Sequence, residues 1–334
     1  MEDNALFKLN NFINIYLNEK KSLNLSKNTI NTYFNVLNDF SEYYRGYYED
    51  ISLESLDKAF IVSFLNEKRL SASSKNLYTT VLKNFFAYLE KNAFLMMDTK
   101  KCFLELSHKV MKKEPVALNA LEYEKVITWF EKEAKKRKRS FYSYRNVFML
   151  KLLLLTGIRA SELLALRLND FTRMYSKENR AMYKIKILGK GNKERYVYMA
   201  QESIEEELLF LKEYFNHTTV NAHPDVKDMS RAKNKKTFKK IPSSHDSATG
   251  IYLCATKEGR VLIASELYLT INSFLKQQGT AKRGVHMLRH SFGKHMVRKN
   301  INLSTIKDLM GHENIQTTMI YARSDEESMI RAVI

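Results

Sequence analysis

The sequence predicts a mainly α-helical protein of two domains, in which an N-terminal four-helix bundle precedes an α+β domain with a small β-sheet. Apolar residues recur at helical spacing through residues 1–108, and the period falls to two only between residues 181 and 199. The chain of 334 residues also exceeds the usual length of one domain, so each part is long enough to bury its own core.

Four amphipathic helices are predicted within residues 1–108. The second begins at Ser26, whose hydroxyl can cap the first turn, and the third and fourth are expected over residues 56–65 and 74–89. The apolar faces of the first, second and fourth helices are expected to contain Leu6, Leu9, Ile13, Tyr16 and Leu17; Ile30, Phe34, Leu37 and Phe40; and Leu77, Val81, Leu82, Phe85, Phe86 and Leu89.

A change in composition at residues 109–118 predicts the linker between the domains, because Pro115 and several lysines interrupt the periodic pattern. Residues 119–334 form the predicted second domain. Its sequence indicates helices over residues 121–133 and 265–277, a short strand over 252–254, and a hairpin. The hairpin is predicted because two alternating runs, 183–187 and 196–198, flank a Gly-Lys-Gly-Asn turn.

The formal charge of +18 favours a polyanionic partner, and nucleic acid is the most common one. Charge alone leaves ribosomal, RNA-binding and membrane-surface proteins as alternatives. Cys102 and Cys254 provide no disulfide framework and are typical of a reducing cytosol. The N-terminus lacks a signal-like apolar region and no apolar run reaches the length of a membrane span, so a cytoplasmic protein without membrane contact is expected.

Six side chains in the second domain outline a site for breaking and rejoining a phosphodiester without a metal or cofactor. Two arginines can clamp one phosphate and neutralise the charge of its transition state. A tyrosine hydroxyl can attack phosphorus while a lysine protonates the leaving oxygen. The six residues are Arg159, Lys190, His286, Arg289, His312 and Tyr321.

The local motifs around these residues resemble the tyrosine recombinase (phage integrase) family, and within it the Xer-type recombinases. The matching strings are Thr-Gly-Ile-Arg-Ala-Ser-Glu-Leu at 156–163, Gly-Lys-Gly-Asn-Lys-Glu-Arg at 189–195, His-Met-Leu-Arg-His at 286–290 and Met-Gly-His at 310–312. Tyr321 follows His312 by nine residues, and His312 follows Arg289 by 23. The resemblance extends over the whole chain, although it is weak before residue 115.

The resemblance implies a SAM-like core-binding domain, a catalytic domain that forms a 3′-phosphotyrosyl intermediate, and double-stranded DNA as partner. It further implies a homotetramer on two duplexes, a dif-like palindromic site, resolution of chromosome dimers and possible activation by a septal DNA translocase. The polar, basic segment 216–249 is interpreted as an insertion that resembles the XerH type. The sequence leaves open whether this insertion is a partly disordered loop or an additional contact.

In this family context, His286 is the candidate base for Tyr321, and His312 donates a hydrogen bond to a nonbridging oxygen or assists proton transfer. The roles of these two histidines are interchangeable at this stage. Lys190 is the candidate general acid for the 5′-hydroxyl. Glu162 lies three residues after Arg159 and is expected to orient it through an ion pair.

Two further histidines, His290 and His295, are interpreted as helix-packing residues. The tail 322–334 is expected to form a short helix with a capping box at Ser324 and Glu327, and with one apolar face. So short a helix needs an apolar partner surface, either on its own domain or on a neighbouring subunit with which tails are exchanged.

Three other functions compete with chromosome dimer resolution. An integrase or resolvase of a mobile element uses the same chemistry. A type IB topoisomerase shares many of the catalytic residue types but lacks the Xer-type motifs. A non-catalytic DNA-binding protein explains the charge but leaves the six candidate site residues without a role.

Overall fold

A computed structural model describes residues 5–110, 114–189, 191, 193–221, 250–281 and 284–322, with the backbone alone for 217–221. The chain divides into two compact units, residues 1–113 and 114–334. This division falls within the segment that the sequence predicts as the linker. Among the described residues, no helix combines the length and the apolar character needed to cross a membrane.

The N-terminal unit is entirely helical where it is described, and the four predicted helices are confirmed. The hydroxyl of Ser26 accepts a hydrogen bond from the Thr29 N–H at 3.1 Å, so the predicted cap begins the second helix. A short fifth helix was not predicted. The helices are α1 Ala5–Ser22, α2 Lys27–Tyr44, α3 Lys58–Glu67, α4 Ala72–Lys91 and α5 Thr99–Cys102, with a 3₁₀ turn at Leu53–Ser55.

Two residues expected inside this bundle lie on its surface. The side chains of Phe34 and Leu77 are 50% and 45% exposed. The buried stripe of α2 passes through Val36, and that of α4 is bordered by Tyr78, which packs on the core. Phe34 and Leu77 each lie roughly 100° from the centre of their stripe at 3.6 residues per turn. Their apolar character alone therefore led to the wrong prediction that these two side chains are buried.

The C-terminal unit packs helices and a three-stranded antiparallel sheet, in the order β1-β2-β3, around one large core, with a smaller apolar cluster formed by Phe292, Ile306, Met310 and Tyr321. The predicted hairpin is confirmed as β2 and β3, with Ile185 opposite Val197. The elements are α6 Ala120–Ala134, α7 Phe141–Thr156, α8 Ala160–Ala165, β1 Phe171–Tyr175, β2 Ala181–Leu188, β3 Glu194–Ala200, α9 Glu205–Asn221, α10 Ala264–Gln277, α11 Val285–Arg298, α12 Leu303–Met310 and α13 Gln316–Met319.

Three expectations for this unit are corrected. Strand β1 was missed because its five residues, Phe-Thr-Arg-Met-Tyr, show no regular alternation. The expected strand at 252–254 is reduced to a single bridge between Tyr252 and Arg167. Residues 216–221 of the predicted insertion continue α9, because helical hydrogen bonding propagates beyond its apolar first part. Residues 222–249 of that insertion and residues 323–334 of the predicted tail lie outside the described residues.

Helix α7 is buried on almost every side and ends where the candidate site begins. Gly157 terminates it in the left-handed conformation, with φ of 65°. A Cβ on Gly157 would lie 2.3 Å from the ring of Phe292 in α11, so only glycine permits both the turn and this close approach. The chain is thereby directed to Arg159, two residues later.

A buried ionic cluster fastens α9 to α7. Both carboxylate oxygens of Glu207 are engaged, one with Lys151 Nζ at 2.9 Å and the other with Arg139 Nη2 at 2.8 Å. The side chains of Glu207 and Arg139 are 1% exposed and that of Lys151 is 11% exposed. Removing one member of such a cluster leaves charges buried without compensation, which is strongly destabilising.

We expect Glu207→Gln to lower the free energy of unfolding by about 3 kcal/mol, because Lys151 and Arg139 lose their shared counter-charge. The single tryptophan, Trp129, packs on Phe274 within the C-terminal unit, so its fluorescence during urea denaturation reports on that unit. The control is Glu194→Gln, which removes an exposed ion pair with Lys186 and is expected to change stability by less than about 1 kcal/mol. Equal, small changes for both variants would show that the cluster does not hold α9.

Candidate active site

Arg159 stands at the N-terminus of α8 in an extended conformation. As the sequence predicts, it pairs with Glu162: Nη1 donates to Oε1 at 2.8 Å, and its backbone N–H donates to Oε2 at 2.7 Å. Nη2 donates to the carbonyl oxygen of Gly311 at 2.8 Å. The Arg159 guanidinium is thus held by two partners, and the side chain as a whole is 33% exposed.

Glu162 is almost completely buried and receives two further hydrogen bonds from Arg195. Nη1 and Nη2 of Arg195 donate to the two carboxylate oxygens, each at 2.8 Å. Burial opposes ionisation of Glu162, but the bonds from Arg195 and from the Arg159 N–H outweigh it and lower its pKa to about 2. Glu162 is therefore a permanent anion at neutral pH.

Arg289 lies in α11 and is buried, where it donates to the carbonyl oxygens of Gly157 and, at 2.7 Å, Met310. Burial, followed by repulsion from Arg159, lowers its pKa to about 10, so it stays cationic at neutral pH. Arg289 and Arg159 thus bind consecutive carbonyl groups at the end of α12. The two predicted clamp arginines are brought together by this shared attachment.

His312 follows Gly311, which ends α12 with φ of 64°. Its Nδ1 is 2.8 Å from the hydroxyl oxygen of Thr318, which leaves Nε2 for another partner. Burial, followed by repulsion from Arg289 and Arg159, lowers its pKa to about 4. His312 is therefore neutral near pH 7, and it can offer a hydrogen bond but no charge to a phosphate.

Tyr321 is only 4% exposed and packs with Phe292, Ile306 and Met310. Burial raises its pKa to about 12, although the positive charge of Arg289 acts in the opposite direction. Its ring stacks near that of His312, with centroids 6.3 Å apart. The phenol is therefore neutral in this arrangement and needs a proton acceptor to become a nucleophile.

The histidine at the Tyr321 hydroxyl is His290, which the sequence analysis interpreted as a helix-packing residue. Its Nδ1 lies 2.8 Å from Oη. Burial, then the neighbouring His286 and Arg289, lower the pKa of His290, and with the proton on Nε2 its ring accepts a hydrogen bond from the phenol. The sequence did not predict this contact, because it depends on the placement of Tyr321 against α11. His295 stacks on Tyr123 at 4.1 Å, as a packing residue does.

His286, the candidate base from the sequence, is exposed in the first turn of α11. Within the described residues, the side chain hydrogen-bonded to the Tyr321 hydroxyl is His290 and not His286. Lys190 lies outside the described residues. The hairpin that carries it closes with a hydrogen bond from the Gly189 N–H to the Lys193 carbonyl oxygen at 2.8 Å. A Cβ on Gly189 would be 3.8 Å from Glu162 Oε1, so the hairpin end lies beside the Arg159 pair.

Sequence reasoning also missed Arg195 and Thr318. Arg195 belongs to the quoted Gly-Lys-Gly-Asn-Lys-Glu-Arg string and pairs with Ile187 in the sheet, so it points to the buried side. A charged residue at an inward position of an alternating strand was the available signal. Among the described residues, no cluster of three or more His, Cys, Asp or Glu is arranged to hold a metal ion.

We expect the His312 imidazole to titrate near pH 4 in the folded protein, against about 6.5 for an unperturbed imidazole. Because the folded state binds a proton less readily than the unfolded state, stability from the neutral ring is complete above about pH 6.5 and declines below it. An NMR titration of histidine ring protons measures this, with His312→Asn for assignment and urea-unfolded protein as reference. Titration of His312 at or above the unfolded value would mean that the site holds a cation there.

We expect Gly293→Ala to lower the free energy of unfolding by about 1–3 kcal/mol, because the added Cβ would lie 2.8 Å from Tyr321 Cε2. In a Tyr321→Ala background the same change is expected to stabilise α11 by up to about 1 kcal/mol, through helix propensity alone. Urea denaturation followed by Trp129 fluorescence measures both values. If the substitution has the same effect in both backgrounds, the Tyr321 ring does not rest on residue 293 in solution.

Comparison with known proteins places this geometry in a family. The model of the phage integrase family matches residues 117–328, and that of the phage integrase N-terminal SAM-like domain matches residues 9–92. Tyrosine recombinase XerH of Helicobacter pylori is 28% identical over 331 residues, covering 94% of this chain and 81% of that protein. XerH of Campylobacter jejuni is 26% identical over 320 residues, covering 93% and 79%.

Among solved structures, XerH bound to palindromic difH substrate in a post-cleavage complex aligns with a TM-score of 0.68. The two sequences are 27% identical, and the alignment covers 94% of this chain and 81% of that one. A pre-cleavage complex of XerH with difH gives a TM-score of 0.65. Because the family model spans more than half of the sequence, this chain belongs to the phage integrase family of tyrosine recombinases and is similar to its Xer members along nearly its whole length.

Proposed function

We propose that this protein is a site-specific recombinase that cuts and rejoins double-stranded DNA through a 3′-phosphotyrosyl intermediate. The observation that carries the proposal is the convergence of Arg159, Arg289 and His312 on the turn after α12, with Tyr321 packed against the same turn. Two guanidiniums around one phosphate supply the charge that phosphoryl transfer requires. The chain's charge of +18 favours binding to the DNA backbone.

In the proposed reaction the Tyr321 oxygen attacks phosphorus, the bond to the 5′-oxygen breaks, and the phenol proton passes to a base. Lys190 gives a proton to the departing 5′-oxygen, which leaves as a hydroxyl. Arg159 and Arg289 neutralise the nonbridging oxygens, His312 donates a hydrogen bond to one of them, and Glu162 holds Arg159. Attack by the 5′-hydroxyl of another strand reverses each step, so the energy of the phosphodiester is retained without ATP.

Two histidines are candidates for the base. His286 is the candidate from sequence, and His290 already lies within proton-transfer distance of the Tyr321 hydroxyl, at 2.8 Å. The buried, neutral phenol indicates a resting arrangement from which the hydroxyl must reach the phosphate.

We further propose a palindromic, dif-like target and a role in resolving chromosome dimers, supported by the XerH relatives and by the difH complexes that align with this chain. Recombination of a mobile element by the same chemistry is the second candidate. A homotetramer that exchanges its tails, residues 322–334, and activation by a septal translocase belong to the same proposal. A cytosolic location is supported by two buried, unpaired cysteines, Cys102 and Cys254.

A nicked suicide substrate tests the central step, because the cut strand cannot be rejoined and a covalent complex accumulates. We expect the wild-type chain to form this complex and Tyr321→Phe to bind the same DNA without forming it, since only the attacking oxygen is lost. A covalent complex with the phenylalanine variant would assign the nucleophile elsewhere. A supercoiled plasmid with two dif-like sites distinguishes a recombinase, which yields two circles, from a topoisomerase, which only relaxes the plasmid.

The same substrate distinguishes the two candidate bases. We expect His290→Gln to slow covalent complex formation by about 10²-fold if His290 takes the phenol proton. His286→Gln is the matched variant on the same helix. If His286→Gln shows the loss and His290→Gln reacts like the wild type, the sequence-based assignment of His286 is correct and His290 only holds the resting tyrosine.

A further inference from the structure

Arg195 connects three separate elements of the C-terminal unit. It lies in β3, binds Glu162 of α8 through both terminal nitrogens at 2.8 Å, and donates from Nε to the carbonyl oxygen of Leu309 in α12 at 3.1 Å. Its side chain is 13% exposed and that of Glu162 is 3% exposed. A planar, two-bond contact between buried partners fixes orientation as well as distance.

The Arg195 guanidinium also packs against the backbone of Gly311. A Cβ on Gly311 would lie 2.9 Å from Arg195 Cζ, so residue 311 has to be a glycine for this contact as well as for its left-handed turn. The Gly311 carbonyl accepts the hydrogen bond from Arg159, and the next residue is His312. The Arg195 side chain therefore contacts both Glu162, which is the partner of Arg159, and the turn that precedes His312.

All three side-chain nitrogens of Arg195 donate to protein groups, and its side chain is less exposed than that of Arg159, at 13% against 33%. If Arg195 is removed, Glu162 is free to tilt toward Arg159 and the turn at Gly311 loses its packing partner. Displacement of a reacting group by about 1 Å can reduce a rate by about 10²-fold.

We propose that Arg195 is a positioning residue for DNA cleavage: it holds Glu162 and the Gly311–His312 turn so that Arg159 and His312 meet the scissile phosphate in the reactive geometry. This inference rests on the proposed function of Arg159 and His312. Arg195 itself does not contact the phosphate. It also links β3, and with it the hairpin that carries Lys190, to the arginine clamp.

The test compares Arg195→Gln with Arg260→Gln on the nicked suicide substrate. Arg260 forms a comparable two-bond pair with Glu266 in the same unit, although it is about 40% exposed, so it controls for loss of an Arg–Glu pair outside the site. We expect Arg195→Gln to form the covalent complex about 10²-fold more slowly with DNA affinity changed less than about threefold. Arg260→Gln is expected to react like the wild type.

Two further measurements separate positioning from general loss of structure. First, the rate loss caused by Arg195→Gln is expected to fall to about tenfold or less in an Arg159→Lys background, because the part of the effect that passes through Arg159 is already lost there while the part that passes through His312 remains. Second, a methylphosphonate at the scissile position removes the negative nonbridging oxygen that the clamp neutralises. With that substrate the ratio of wild-type to Arg195→Gln rates is expected to fall to about tenfold or less.

Arg195→Lys is the second variant, because it keeps the charge and the aliphatic stem of the side chain but not the planar fork. It replaces Arg195→Gln if Trp129 fluorescence shows that the glutamine variant does not fold. The inference is overturned if these variants cleave within about threefold of the wild type, or if the Arg195 and Arg159 defects multiply as independent effects. Failure of the wild-type chain itself to form the covalent complex would instead overturn the proposed function.

Discussion

The candidate site depends on one buried carboxylate. Glu162 receives the backbone N–H and guanidinium of Arg159 and both terminal nitrogens of Arg195, so it sets the position of two cations from one point. Its own charge is tolerated in a buried position because these donors surround it. Arg289 lies nearby and feels the charges of Arg159, Arg195 and Glu162, so positive charge exceeds negative charge among these four side chains. An anion such as a phosphate diester complements that excess.

The arginines are also held by the carbonyl ends of helices. The last carbonyl groups of a helix have no partner within it and carry partial negative charge. Arg289 binds the carbonyl that follows α7 and one at the end of α12, while Arg159 and Arg195 bind the two carbonyls on either side of the latter. The glycines that end these helices turn the chain away and leave the carbonyls accessible. The unpaired carbonyl groups at the ends of α7 and α12 are therefore also the groups that hold the arginines together.

Tyr321, the proposed nucleophile, lies in an apolar environment. Contact with Gly293 positions its ring, and His290 satisfies its hydroxyl, so the buried phenol has a partner without being ionised. Arg159 and Arg289 thus lie among polar and charged groups, whereas the neutral Tyr321 ring beside them lies among apolar side chains.

Local patterns in the sequence determined the helix starts and the hairpin, because caps and alternation are properties of nearby residues. Motif spacing also singled out Arg159, Arg289, His312 and Tyr321, which the fold then places around one turn. The pairing of Arg159 with Glu162 was predictable for the same reason, at three residues' separation. The tertiary structure alone decided that His290, and not His286, meets Tyr321, and that Arg195 reaches Glu162 across 33 residues. It also decided that Phe34 and Leu77 face outward. These outcomes depend on which helix and strand faces meet in the folded chain, and that packing is set by contacts between distant segments.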